Sequence, residues 1–315
     1  MYRIHQSVVP VAAVLLAGGA WYARAGDLNP PAGPVTGTMK TLVEVEPRIA
    51  INATNTPGDA DSLFKITQRG SYYLTGNIAG VAAKHGIEIV ASGVTLDLNG
   101  FDLVGVAASL DGVSVSVFPL TNIAVVNGSV RNWGDEGVDL GTFSANTCRV
   151  EGVLASGNAG NGILTGSGCT VSNCTAYLNT ANGIGAGAGC TVSNCSTRAN
   201  TFDGIVCSSS CVIRDNTCTS NGNGAGDGAG IHATSNANRI ERNNCTDADR
   251  GIDVDVFGNI IVRNTCSGNT TNWDIVANNV YGPIIDRTAP ASPAVSGNSA
   301  ASSLGSTDPN ANFTY

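Results

Sequence analysis

Lysine is nearly missing from this chain: Lys40, Lys65 and Lys84 are the only three in 315 residues. Histidine is as rare, aromatics make up 5%, and only 13% of residues are charged. Asp and Glu outnumber Lys and Arg by 24 to 16, and no basic cluster breaks that balance. Such a chain lacks the electrostatic footprint of a nucleic-acid binder. No apolar run after residue 25 approaches the ~20 residues of a membrane-spanning helix. Few large side chains also argue against a thick globular core. What fills the sequence instead is Gly (40 residues), Asn and β-branched residues, a composition for a narrow, repetitive interior.

The N-terminus reads as an export signal. Arg3 and His5 form a basic start, Val8 to Ala20 are mostly apolar, and Ala23-Arg24-Ala25 is a small-x-small cleavage site. Pro10, Gly18 and Gly19 interrupt the run, which disfavours the alternative of an uncleaved anchor. Residues 1–25 are therefore expected to be a signal peptide cleaved after Ala25, and the protein to be secreted or periplasmic with no membrane association after cleavage. Loss of Arg3 and Arg24 makes the net charge of −8 more negative still.

Internal repetition dominates the rest. A small or polar residue, Gly, then Ile or Val recurs as His85-Gly86-Ile87, Asp111-Gly112-Val113, Glu136-Gly137-Val138, Asn161-Gly162-Ile163, Asn182-Gly183-Ile184, Asp203-Gly204-Ile205, Ala229-Gly230-Ile231 and Arg250-Gly251-Ile252. Trp273-Asp274-Ile275 reads as a degenerate ninth member, and the steps run from 21 to 26 residues. A second apolar position follows in each unit, at Val171, Val192, Ile213, Ile240 and Ile261. Alternation around the anchors, as in Ile252-Asp253-Val254-Asp255-Val256, has the period of a strand. Short strands without intervening helix can pair only by coiling, each over its equivalent at roughly 4.8 Å. The expectation is an all-β, right-handed parallel β-helix of about nine coils, since parallel crossovers favour that hand.

Two ladders fit this register. Asn158, Asn179, Asn200 and Asn221 lie 21 apart, as do Cys148, Cys169, Cys190 and Cys211. The asparagines are expected to stack at one corner, as residues that tolerate left-handed backbone. The cysteines fall two before an apolar anchor and are expected to point inward. Ten cysteines in an exported chain leave two readings open: inert core thiols, or disulfides such as Cys169–Cys190 or Cys174–Cys195, for which stacked α-carbons are near enough. Zinc at Cys169, Cys174, Cys190 and Cys195 would require the coil to break.

These features resemble the pectate-lyase-like right-handed parallel β-helix proteins: the Gly-Ile anchors, the 21-residue step, the Asn ladder and Val94-Thr95-Leu96-Asp97-Leu98-Asn99-Gly100. The resemblance spans about residues 60 to 286. It implies the fold far more than an activity, because lyases, hydrolases, epimerases and non-catalytic adhesive proteins share it. In its pectate lyases a calcium ion bridges the uronate and a basic residue removes the proton. Arg250 is the nearby candidate base, with nothing aligning it to that role. Outside the repeats, residues 26–60 read as a Pro/Gly-rich lead-in. The body spans 61–286, with Ser71-Tyr72-Tyr73-Leu74 as a closing strand, and 287–315 form a tail. The last residues, Asn312-Phe313-Thr314-Tyr315, read as a short strand that docks on the body or on a second subunit.

Chemistry concentrates late in the body. The residue after each anchor runs Asp139, Leu164, Gly185, Val206, His232, Asp253, and two further along come Gly141, Gly166, Gly187, Ser208, Thr234, Asp255. His232, Asp253 and Asp255 are the candidate catalytic residues, with α-carbons of the aspartates roughly 6.7 Å apart by strand rise. Carboxylates about 6.5–9.5 Å apart suit inverting glycoside hydrolysis. Asp227, Asp253 and Asp255 could instead hold Ca²⁺ through oxygen ligands. The bland alternative is that outward aspartates simply keep the solenoid soluble. Asp203 reads as a turn former and Asp135, Glu136 and Asp139 as solvated surface. The functional readings are an exported protein that binds, or also cleaves as a lyase or glycoside hydrolase, a polysaccharide. The alternatives are a structural or adhesive surface protein and, without a His/Met cluster to support it, a periplasmic helper of copper-enzyme maturation.

Overall fold

Alternation of inward apolar and outward polar residues builds the body one rung at a time. The computed structural model describes residues 46–141, 145–222, 228–288 and 306–315, and Arg48–Tyr315 form one compact unit. The signal-peptide residues and Asp227 lie outside the described residues. One flank is a sheet of ten parallel strands, from Ser62–Ile66 through His85–Ile89, Val138–Leu140, Ile205–Cys207, Ala229–Ala233 and Arg250–Val254 to Thr271–Ile275. A second sheet of twenty strands wraps the remaining sides. The described residues contain no helix, so none is long and apolar enough to cross a membrane. The chain is a parallel β-helix.

Every anchor from Ile87 to Ile252 is stacked in register and fully buried. Across the core, Val171, Val192, Ile213, Ile240 and Ile261 form the facing stack. Each buried Ile or Val contributes roughly 1.5–3 kcal/mol. The anchor glycines are there for space. A Cβ on Gly183 would lie 2.6 Å from the Gly204 carbonyl oxygen of the next rung and 2.7 Å from Asn200 Nδ2.

The asparagine ladder is present, and its mechanics differ from the sequence expectation. Left-handed backbone belongs to the residue before each ladder Asn: Gly157, Leu178, Ala199 and Ser220. The asparagines themselves are buried. Asn179 Oδ1 accepts the Asn158 backbone N–H at 3.1 Å and its Nδ2 at 3.0 Å, while Asn179 Nδ2 donates to Ala155 O and to Asn200 Oδ1. Two further ladders run alongside. Cys174 and Cys195 lead into Asn216, Asn243, Asn264 and Asn312, where Cys195 N–H donates to Asn216 Oδ1 at 2.9 Å. Cys148, Cys169, Cys190 and Cys211 lead into Asn238, Asn259 and Asn279. In the thiol part of that ladder Sγ accepts the N–H from the rung before, at 3.3 Å for Cys148 to Cys169 and for Cys169 to Cys190. All ten cysteines are buried free thiols, so neither Cys169–Cys190 nor Cys174–Cys195 is a disulfide.

Both ends depart from the repeat read in sequence. Ser62–Ile66 is a rung ahead of the first Gly-Ile anchor, with Phe64 over Ile87. At the far end Ile252 pairs with Trp273 and Val254 with Ile275. The last step is therefore 21 residues, and the anchor is Thr271-Asn272-Trp273 in place of Trp273-Asp274-Ile275. Trp273 takes the isoleucine slot, and its indole N–H donates to Thr314 Oγ1 at 2.9 Å. Ile49–Ala50 already pairs with Tyr72–Tyr73, which in turn pairs with Leu96–Asp97. The N-terminal edge is roofed: Lys65 N–H donates to Thr56 O, and Pro57 bridges Phe64 antiparallel. The terminal strand Asn312–Thr314 docks on the chain's own body, between Thr265–Ser267 and Ile284–Asp286.

Candidate functional site

Four neighbouring rungs place Val206, His232, Asp253 and Asp274 in one outward row. His232 sits on Ala229–Ala233 with its ring held at both nitrogens. Nδ1 lies 3.1 Å from Asp203 Oδ2 and Nε2 2.9 Å from Asp255 Oδ2, with Asp253 Oδ2 at 3.9 Å. A ring with carboxylates at both nitrogens is stabilised as the imidazolium. The hydrogen bond to Asp203 leads in raising its pKa to about 9; burial works against the shift, and the bond to Asp255 adds to it.

Asp203 earns a larger role than turn former. Its Oδ1 accepts the Ala229 N–H at 2.8 Å and its own N–H donates to Asn182 Oδ1 at 2.9 Å. The carboxylate is thereby fixed before it meets His232. Asp253 is buried, and burial lifts its carboxyl to about 6, although nearby His232 and Arg250 pull it down. Arg250, the base suggested by resemblance, is ion-paired: Nη1 lies 3.3 Å from Asp253 and Nε 2.8 Å from Asp274. Asp255 and Asp274 carry the exposed carboxylates, with side chains 51% and 46% accessible against 20% for His232 and 24% for Arg250.

The structure thus brings His232, Asp253 and Asp255 together and adds Asp203 and Asp274. Ligating atoms of the first three lie within 4.8 Å of one another, closer than the about 6.5–9.5 Å of an inverting pair. An imidazole stands where that mechanism places water. Asp203 was hidden from sequence inspection because its contact reaches diagonally, 29 residues along the chain.

Next to the cluster lies a trough of about 270 Å³ lined by Gly141, Leu164, Gly185, Val206, Ser208 and Thr234, among others. It exists because the row is bare of side chains at its glycines: a Cβ on Gly185 would meet Leu164 Cδ1 at 2.8 Å. Val206 in its lining pairs directly with His232, so the trough lies next to the cluster, although no cluster residue lines it. Neither tryptophan of the body is free for stacking, since Trp133 is buried and Trp273 half-buried. Phe202, beside Asp203, and Phe257, two beyond Asp255, are 52% and 60% exposed.

Of the earlier acidic group only Asp135 is exposed surface. Asp139 is buried and its Oδ1 accepts the Gly141 N–H. Glu136 is half-buried, and burial with Asp135 and Asp111 beside it raises its carboxyl to about 8. It groups with Asp111 and Asp135, rungs away from His232. The candidate ligand groups among the described residues include no cysteine.

A parallel β-helix with an outward cluster is the class that fold and site define. No family model matches the chain, and no curated protein matches it. Among solved structures it is similar to pectate lyase Pel9A at 18% identity and a TM-score of 0.45, covering 74% of this chain and 72% of that one. It is also similar to the A-module of the Azotobacter vinelandii mannuronan C-5 epimerase AlgE6, at 14% identity and a TM-score of 0.49, covering 71% and 77%. The Dettilon tailspike protein matches at 18% identity and a TM-score of 0.34, covering 69% of this chain and 42% of that one.

Proposed function

We propose that this is an exported protein that binds a polysaccharide along the flank of the ten-stranded sheet. The trough seats a sugar, and His232, Asp253 and Asp255 lie next to it. The observation that carries this reading is the adjacency of the trough to the cluster, its lining residue Val206 pairing in register with His232. An apolar floor of Leu164 and Val206 beside fixed polar groups is what a pyranose with one apolar face requires. The exposed rings of Phe202 and Phe257 beside the cluster in sequence supply flat apolar faces, the feature that stacks on sugars.

Cleavage is a separate step. The buried Asp253, with its carboxyl near 6, is the group fitted to donate a proton, and the imidazolium of His232 is fitted to stabilise a developing negative charge. The test is a panel of polysaccharides scored for binding by affinity electrophoresis, for unsaturated products by ultraviolet absorbance and for reducing ends, each with and without Ca²⁺. Binding that is lost in Val206→Trp, which fills the trough, supports the reading. Absence of binding to every polysaccharide sinks it in favour of a structural solenoid.

A further inference from the structure

The two ends of the coil are closed unequally. At the N-terminal end the edge strand Ser62–Ile66 lies under the roof of Thr56 and Pro57. At the other end Thr271–Ile275 is the outermost strand of the ten-stranded sheet and, among the described residues, pairs on one side only, with Arg250–Val254. Val280–Tyr281 likewise pairs as a strand only with Ile260–Ile261. Tyr281 occupies the inward slot above Ile261, a slot fully buried at Val192, Ile213, Ile240 and Ile261, yet it is 54% exposed. Val276, Val280 and Ile284 of the same last coil are exposed as well, and Trp273 and Ile275 are half-buried. An unpaired edge beside exposed apolar side chains is a template for another strand.

We infer that this end is an interface for a second copy of the chain, the two Thr271–Ile275 strands pairing antiparallel about a twofold axis at Trp273. Residues opposite each other must face the same way. Centring the pair on Trp273 meets that condition along the whole strand: Thr271 lies opposite the partner's Ile275, and Asn272 opposite the partner's Asp274. The edge is complementary to itself. Asn272 Oδ1 already accepts from Asn269 Nδ2 at 2.8 Å, which leaves its own Nδ2 to donate to the partner's carboxylate. A twofold axis makes that contact twice. The charge of Asp274 is balanced by Arg250 Nε at 2.8 Å, so joining two copies gathers no net charge at the seam. The two ten-stranded sheets become one, with both troughs on the same face. The inference is independent of the polysaccharide reading.

Sedimentation velocity on the full chain, over a concentration series around the micromolar range, is expected to show a monomer–dimer equilibrium. Tyr281→Lys and Asn272→Asp should each weaken the dimer roughly tenfold or more, the second by setting like charges opposite each other. Asn272→Lys, which faces the partner's Asp274 with opposite charge, should associate at least as tightly as the native chain. Val81→Lys and Val81→Asp repeat the charge changes at an exposed position away from this end and should leave association unchanged. A monomer at every concentration overturns the inference. So does a dimer that the Tyr281 and Asn272 variants leave intact, or one that the Val81 variants weaken equally. Hydrogen exchange completes the test: amides at 271–275 protected in a monomer would assign the edge to the chain's own residues and overturn it.

Discussion

His232 and Asp253 make the pH response of the protein a residue-scale property. The pKa of His232 is raised in the folded state, so its contribution to stability is complete below about 6.5 and is lost as pH rises through about 9. Its size is on the order of 3 kcal/mol. Asp253 acts in the same direction. Its raised carboxyl costs nothing while protonated in both states, and the cost appears as pH climbs from about 4 to about 6. Urea midpoints are expected to fall between pH 6.5 and 9, and the fall should shrink in His232→Gln. Asp203→Asn removes the largest cause of the His232 shift, so an NMR titration should move that imidazole back toward 6.5. The outward row holding His232 and Asp253 was legible from the 21-residue register. The Asp203 contact was not, since it crosses between a turn and a strand of the next rung, where no spacing rule applies.

At the scale of the strand and its bends, the ladders decide what a rung tolerates. Asn179 joins four hydrogen bonds in a dry interior. Its truncation to Ala leaves orphaned donors and acceptors worth about 1–3 kcal/mol each, and a denaturation curve should show a loss of that order or more. Asn216 follows Cys174 and Cys195 in one column, so Asn216→Cys should cost measurably less than Asn216→Ala, the thiol accepting the Cys195 N–H. Gly183→Ala forces a methyl against the Gly204 carbonyl and should destabilise by roughly 1–3 kcal/mol. The anchors were readable because Gly and Ile are both dictated by the same inward geometry. The last rung was misread because Asn272 and Trp273 fill those two slots with residues of neither type. The first lacked the pattern too, with Leu63 and Phe64 there.

For the whole molecule, stability depends on how the two ends are closed. Removing residues 307–315 takes away Asn312, which ends the ladder through Asn264, and Thr314, which holds the Trp273 indole. It also uncovers the edges of Thr265–Ser267 and Ile284–Asp286. The truncated protein is expected to melt roughly 5–10 °C lower, to aggregate through its bared edge and to show red-shifted tryptophan emission. The thiols are a second check: the native protein should resist a thiol reagent, and all ten should react after denaturation. The closing strand was visible in sequence, but whether it turned back on its own chain depended on where the final rung stops, which the misread step concealed.

From Asn158 to Asn221 each rung offers its neighbours the same donors above and the same acceptors below. Nothing in that stretch counts how many rungs there are. Excising residues 180–200 would set Asn179 onto Asn221 with the ladder unbroken, shortening the flank by one storey and leaving both terminal closures untouched. The length of this flank is thus an adjustable dimension, altered by gaining or losing a repeat in the gene while the ladder keeps its pairing.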